Sequence, residues 1–103
     1  MRAIRISVTF NDQLNDLLEQ GELRFGQALI EEKKALVYAI IGKHLALFPA
    51  SRVRDPELGL HLYPVTGTPF VLVYDYDDTE LRMHFVLHKR ADRSKIDPTD
   101  IEW

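Results

Sequence analysis

Apolar and polar side chains alternate between residues 3 and 10, with Ile4, Ile6, Val8 and Phe10 set against Arg5, Ser7 and Thr9. A period of two belongs to a strand with one buried face, and the β-branched content favours the same assignment. The spacing then changes. Asn11 offers a helix cap, and Leu14, Leu17 and Leu18 fall at helical intervals, which predicts a short helix ended by Gln20-Gly21. A longer helix is predicted over residues 22–46. Phe25, Leu29, Leu36 and Ile40 form its apolar stripe, Ile30, Val37 and Ile41 widen it, and Glu31, Glu32, Lys33 and Lys34 lie outside. Leu45 and Phe48 are left over as apolar positions for a partner helix. Pro49 closes the element, because the residue before a proline is driven out of helical geometry.

Residues 49–58 read as a polar loop. Three strands are predicted after it, at 59–65, 69–76 and 79–88, joined by the turns Thr66-Gly67-Thr68 and Asp77-Asp78. Alternation assigns Leu60, Leu62, Phe70, Leu72, Tyr74, Leu81, Met83, Phe85 and Leu87 to one face. The other face receives His61, Tyr63, Val71, Val73, Asp75, Arg82, His84, Val86 and His88. The order β-α-α-β-β-β predicts an α+β fold, a small, mainly antiparallel four-stranded sheet with a helical hairpin on one face. The second face is expected to stay partly open, with its polar residues available to a ligand. Residues 89–103 make a charged tail in which Pro98 precedes a short final strand or helix.

Composition narrows the class. A chain of 103 residues, 46% of them hydrophobic, fits one domain with a packed core. No apolar run approaches the roughly 20 residues that cross a bilayer, and the start of the chain lacks the apolar stretch of a secretion signal, so a cytoplasmic protein without a membrane partner is expected. The absence of cysteine excludes disulfides, thiolate metal sites and a cysteine nucleophile. Thirteen Lys and Arg against sixteen Asp and Glu give a net charge of −3, unlike a dedicated nucleic-acid binder. The charge is polarised, however. Residues 12–32 hold six acids and one base, whereas residues 82–95 hold five bases and one acid. No glycine-rich phosphate loop or zinc motif occurs, and Asp75, Asp77 and Asp78 do not have the spacing of a calcium loop, so no metal and no cofactor are expected.

The element order, the third-strand motif Phe70-Val71-Leu72-Val73-Tyr74-Asp75 and the segment Leu87-His88-Lys89-Arg90-Ala91-Asp92-Arg93 together resemble the RelE/ParE superfamily of bacterial toxins. The resemblance covers residues 4–96. It implies a growth-inhibiting toxin of a type II toxin–antitoxin pair, neutralised by a cognate antitoxin that wraps its surface, the chain being a homodimer or part of a hetero-oligomer with that antitoxin. It also implies one of two targets: mRNA on the ribosome, cut by a metal-independent endonuclease, or DNA gyrase, inhibited without cleavage. The sequence departs from the nuclease pattern. Val71 stands where those members carry arginine, His61 and Tyr63 stand where they carry bases, and Lys95-Ile96-Asp97 occupies the place of a catalytic tyrosine; Trp103 is a loose echo of an aromatic ending. Lys89-Arg90 is retained, while His88, Arg90 and Asp92 match the gyrase-directed members equally well.

Cutting RNA through its own 2′-hydroxyl needs a base, an acid and a cation that steadies the charge growing on phosphorus. Arg82, His84, His88 and Arg90 are the catalytic candidates, the histidines exchanging protons and the arginines clamping phosphate. His61, Tyr63, Lys89, Arg93 and Lys95 are the candidates for holding substrate or partner, with Tyr63 stacking on a base. Each has a plainer reading. Histidines spaced along a strand are commonly solvated, Arg82 faces Asp75 as a cross-strand ion pair, and the four bases of residues 89–95 can equally bind acidic side chains of an antitoxin. A non-toxic interaction module that keeps the fold alone is the remaining alternative.

Overall fold

The computed structural model describes residues 2–103, and their side chains except those of 21–25 and 51. Strand β1 (Ala3–Ile6) is followed by α1 (Val8–Phe25) and α2 (Gln27–Ile40). A π-helical turn (Ile41–Leu45) and a 3-10 turn (Pro49–Ser51) lead to β2 (Arg54–Asp55), β3 (Leu60–Pro64), β4 (Phe70–Tyr76) and β5 (Glu80–His88). The sheet has five strands in the order β1-β5-β4-β3-β2, with β1 parallel to β5 and the other pairs antiparallel. The α+β class and the order of the main elements agree with expectation. The fifth strand does not, because β2 forms inside the segment read as loop.

The first strand is shorter than its alternation predicts, and Ser7 is the reason. Its buried hydroxyl accepts the Phe10 N–H at 2.8 Å and so caps α1 four residues before Asn11. Val8 and Phe10 therefore belong to the helix, where Phe10, Leu14 and Leu18 form the buried stripe. Gly21 does not stop this helix. The break comes at Gly26, whose φ of 83° is open to glycine and strained for other residues. On α2 the buried positions are Ile30 and Val37, continued by Ile41 and Leu45, while Leu36 is exposed; the side chain of Phe25 lies outside the described residues.

The helices cover one face of the sheet. Beneath them lie Phe70, Leu72, Tyr74, Leu81, Met83 and Val86. The second face is not open. Leu58, Leu60, Val73 and Phe85 form a second apolar cluster, with Leu62, Leu87, Ile96 and Ile101 packed against it. Residues 96–101 of the charged tail thus close the side expected to hold a ligand.

Two features of register explain the difference. Leu62 pairs with Val73 and His61 with Tyr74, so β3 has the opposite parity to the one predicted. In β5, Phe85 pairs with Val73 and Met83 with Tyr74, which leaves His84 as the extra residue of a bulge. One inserted residue sends every later side chain to the other face. Leu81 and Met83 therefore point under the helices, whereas Phe85 and Leu87 point away. The start of α1 satisfies the bulge. The Ser7 hydroxyl donates to the His84 carbonyl at 2.7 Å, and the Val86 N–H donates to Gln13 Oε1 at 3.0 Å.

Candidate functional site

The predicted site residues are divided among separate places. On the second face, at the bulged end of β5, Arg82 and His84 converge on Asp75 of β4. The Arg82 guanidinium donates from Nε to Asp75 Oδ1 at 2.8 Å and from Nη2 to Oδ2 at 3.2 Å. Its Nη1 donates to Asp77 Oδ2 at 2.8 Å and to Glu80 Oε1 at 2.9 Å. His84 donates from Nε2 to Asp75 Oδ1 at 2.8 Å, since a carboxylate can only accept. Its Nδ1 is buried and has no hydrogen-bond partner among the described residues.

Three carboxylates on one guanidinium fix the charge states. They hold the Arg82 proton more tightly than in water. Burial pushes the Asp75 carboxyl up, but the hydrogen bonds and charges of Arg82 and His84 outweigh it and leave the group below its ordinary value. Asp77 is held well below the usual carboxylate range by Arg82 and by the N–H groups of Thr79 and Glu80. A carboxylate depressed on folding stabilises the fold above its unfolded value, and that contribution is lost as the pH falls through the folded one. Arg82→Met is accordingly expected to destabilise the chain by roughly 2–3 kcal/mol at neutral pH, the scale of charge-assisted bonds to a partly buried carboxylate. The difference from the parent should shrink below about pH 4, where the unfolded carboxylates take up protons; a difference independent of pH in chemical denaturation would refute the network.

The same end of the sheet is roofed by Trp103. Its ring meets His84 edge-on, with centroids 4.8 Å apart, and the Arg5 guanidinium lies 4.8 Å from its own ring centre. The Thr9 N–H donates to the Glu102 carbonyl at 3.2 Å, and the Glu102 N–H donates to Thr9 Oγ1 at 2.8 Å, which pins this segment to the first turn of α1. Four of the five Arg82 N–H groups are taken by carboxylates, which leaves no pair of donors to clamp a phosphate, and the one His84 nitrogen outside the Asp75 bond is closed to solvent. The pair predicted across the strands, Asp75 with Arg82, is present; Asp77, Glu80, Arg5 and Trp103 are additions. A turn acid two residues after Asp75 was the available sequence signal for Asp77.

His61 and Tyr63 occupy the opposite, helix-covered face. His61 stacks on Tyr74 with centroids 5.3 Å apart and donates from Nδ1 to the Arg52 carbonyl at 2.7 Å. Tyr63 lies against His44, under the guanidinium of Arg52. They cannot act on one ligand together with Arg82 and His84.

The rest, His88 as the last residue of β5 and Lys89, Arg90, Arg93 and Lys95 after it, are exposed. His88 is opposite Phe70, on the helix side of the sheet, and its Nδ1 accepts the Arg90 N–H at 3.1 Å. The Lys89 N–H donates to the Pro69 carbonyl at 2.6 Å, tying the segment to the turn before β4. Arg93 pairs with Asp55 at 2.9 Å. Lys89, Arg90 and Lys95 have no ion pair among the described residues; Lys89 and Arg90 lie beside the Pro69 turn, whereas Arg93 carries the chain across to Asp55 of β2. Among the described residues no group of His, Asp or Glu is arranged to hold a metal ion, and no helix is long and apolar enough to cross a membrane. Neither a protein-family model nor a curated protein matches the sequence.

Proposed function

We propose that the chain is a growth-inhibiting toxin of a bacterial toxin–antitoxin pair, that it works in the cytoplasm by binding its target, and that the gyrase-directed branch describes it better than the nuclease branch. The observation that carries this choice is the commitment of Arg82 to Asp75, Asp77 and Glu80. A nuclease needs a cation and a proton carrier free to meet the scissile phosphate. Here the cation is bound by three carboxylates, the nearest histidine is closed under Trp103, and Val71 supplies no replacement donor. His61 and Tyr63 are on the far side of the sheet.

A toxin that acts by contact needs only a presented surface. Lys89 and Arg90 supply one, held on a backbone anchored to Pro69 and His88. The two helices on one side of the sheet and the Lys89-Arg90 pair after its last long strand support the toxin reading itself. An antitoxin that covers the basic edge would silence it by occupying the same cations.

Induced expression without neighbouring genes tests the proposal. Growth should stop, with filamentation, accumulated DNA breaks and intact mRNA. Discrete cuts in ribosome-bound mRNA, read by primer extension, would restore the nuclease branch. Indifferent growth would leave an inert interaction module and overturn the toxin reading altogether.

A further inference from the structure

The segment between α2 and β2 plays no part in that reading, yet it has the chemistry of a docking surface. Residues 41–54 contain Lys43, His44, Arg52 and Arg54 and no acidic residue, in a chain whose net charge is −3. The same segment leaves Leu47 49%, Phe48 61% and Val53 90% exposed. Leu47 and Phe48, with His44, Tyr76 and Arg2, border an open hollow of about 660 Å³ whose single charged lining residue is the Arg2 guanidinium.

This exposure is not looseness. The Ala46 N–H reaches the Ile41 carbonyl at 3.0 Å in the π-helical turn, and the Phe48 N–H reaches the His44 carbonyl at 2.7 Å. Such turns depart from the ordinary helical ladder and occur often at functional positions. The sheet holds the next residues from below. The buried Tyr74 hydroxyl donates to the Pro49 carbonyl at 2.7 Å, and His61 fixes the Arg52 carbonyl. A fixed backbone presenting large apolar groups to water gains on association, because the apolar area is removed from water and little order has still to be acquired.

We propose that this ledge docks an acidic segment of a partner protein, whose aliphatic or aromatic side chains seat against Leu47 and Phe48 and whose carboxylates meet Lys43, Arg52 and Arg2. Charge complementarity selects the occupant, since the segment offers cations only. Nucleic acid is the poorer fit, because phosphate tracking calls for dense cations and the hollow is mainly apolar. Under the toxin reading the antitoxin supplies the segment, and the inference rests on that reading for the partner's identity alone.

Selection of a random displayed-peptide library against the intact chain tests it. Recovered binders should be rich in Asp or Glu and in Leu, Phe or Trp. Phe48→Ala and Arg52→Glu, both at exposed positions and checked by melting curves, should each weaken them roughly tenfold or more, the scale of losing an interface anchor. Basic binders, binders indifferent to both variants, or a failure to recover any would overturn the proposal. Self-association abolished by Phe48→Ala would overturn it too, in favour of a second copy as occupant. Growth arrest together with binders indifferent to Phe48 would remove the ledge and spare the toxin reading; ledge binders without growth arrest would do the reverse.

Discussion

Arg90→Ala is expected to abolish growth arrest by the expressed chain while leaving its melting curve unchanged. The Arg90 side chain is exposed and has no ion pair among the described residues, so its removal leaves no buried partner stranded. Surface substitutions of this kind usually move stability by no more than about 0.5 kcal/mol. The backbone it leaves behind stays fixed, because the His88 carbonyl accepts the Ala91 N–H at 2.8 Å and His88 Nδ1 accepts that of residue 90. Arg82→Met should give the opposite pattern, a loss of folding stability with toxicity falling only as far as the folded population does. Arg93→Ala lies between the two, since Arg93 is tied to Asp55 across the molecule. Growth assays and thermal melts on the three variants separate a presented cation from a structural one. A folded Arg90→Ala chain that remains fully toxic would refute the assignment of the basic edge.

Much of the chain is legible without coordinates, and the failures share a physical origin. Periodicity reports which residues of one element lie on the same side, and it does so correctly within β4, where Phe70, Leu72 and Tyr74 are buried under the helices. It does not report how that side relates to the same side of the next strand. Alternation phases each strand alone and so groups His61 and Tyr63 with Arg82, whereas the pairing of His61 with Tyr74 reverses the phase. The bulge at His84 is invisible to alternation, although its consequence is not. Phe85-Val86-Leu87 is an uninterrupted apolar run, and such a run in a strand marks burial on both faces. That signal was available against the expectation of an open second face. Ile96 and Ile101 give no such signal, because two isolated apolar residues in a charged stretch show no period.

Local chemistry explains the helix boundaries in the same way. Ser7 competes with alternation at the end of β1 and wins, because a buried hydroxyl both caps α1 and satisfies the His84 carbonyl. Gly21 and Gly26 are equally good stop signals in sequence, yet α1 runs through the first and breaks at the second, where φ is positive. Of the leftover pair Leu45 and Phe48, the first is fully buried and the second is exposed, since the π-helical turn rotates the chain between them.

The decisive difference between the expected and the observed architecture is the closed second face, and Phe85→Ala measures it. Phe85 is 2% exposed and packs with Leu58, Leu60 and Val73 under Ile96 and Ile101. Truncating a buried phenylalanine removes its transfer free energy and leaves a cavity, at a combined cost of about 3–5 kcal/mol. Small domains have only about 5–15 kcal/mol in hand, so the variant should lose a large share of its stability in urea denaturation. Residues 96–103 should also become easier to cleave by protease, because Ile96 and Ile101 lose the ring they pack against. Ile101→Ala should shift the curve in the same direction and less, its side chain being only partly buried. A Phe85→Ala chain with parental stability would mean that the ring borders an open surface, and the face would again be available to RNA. A large loss means instead that this side of the sheet is spent on folding and is not a surface for RNA.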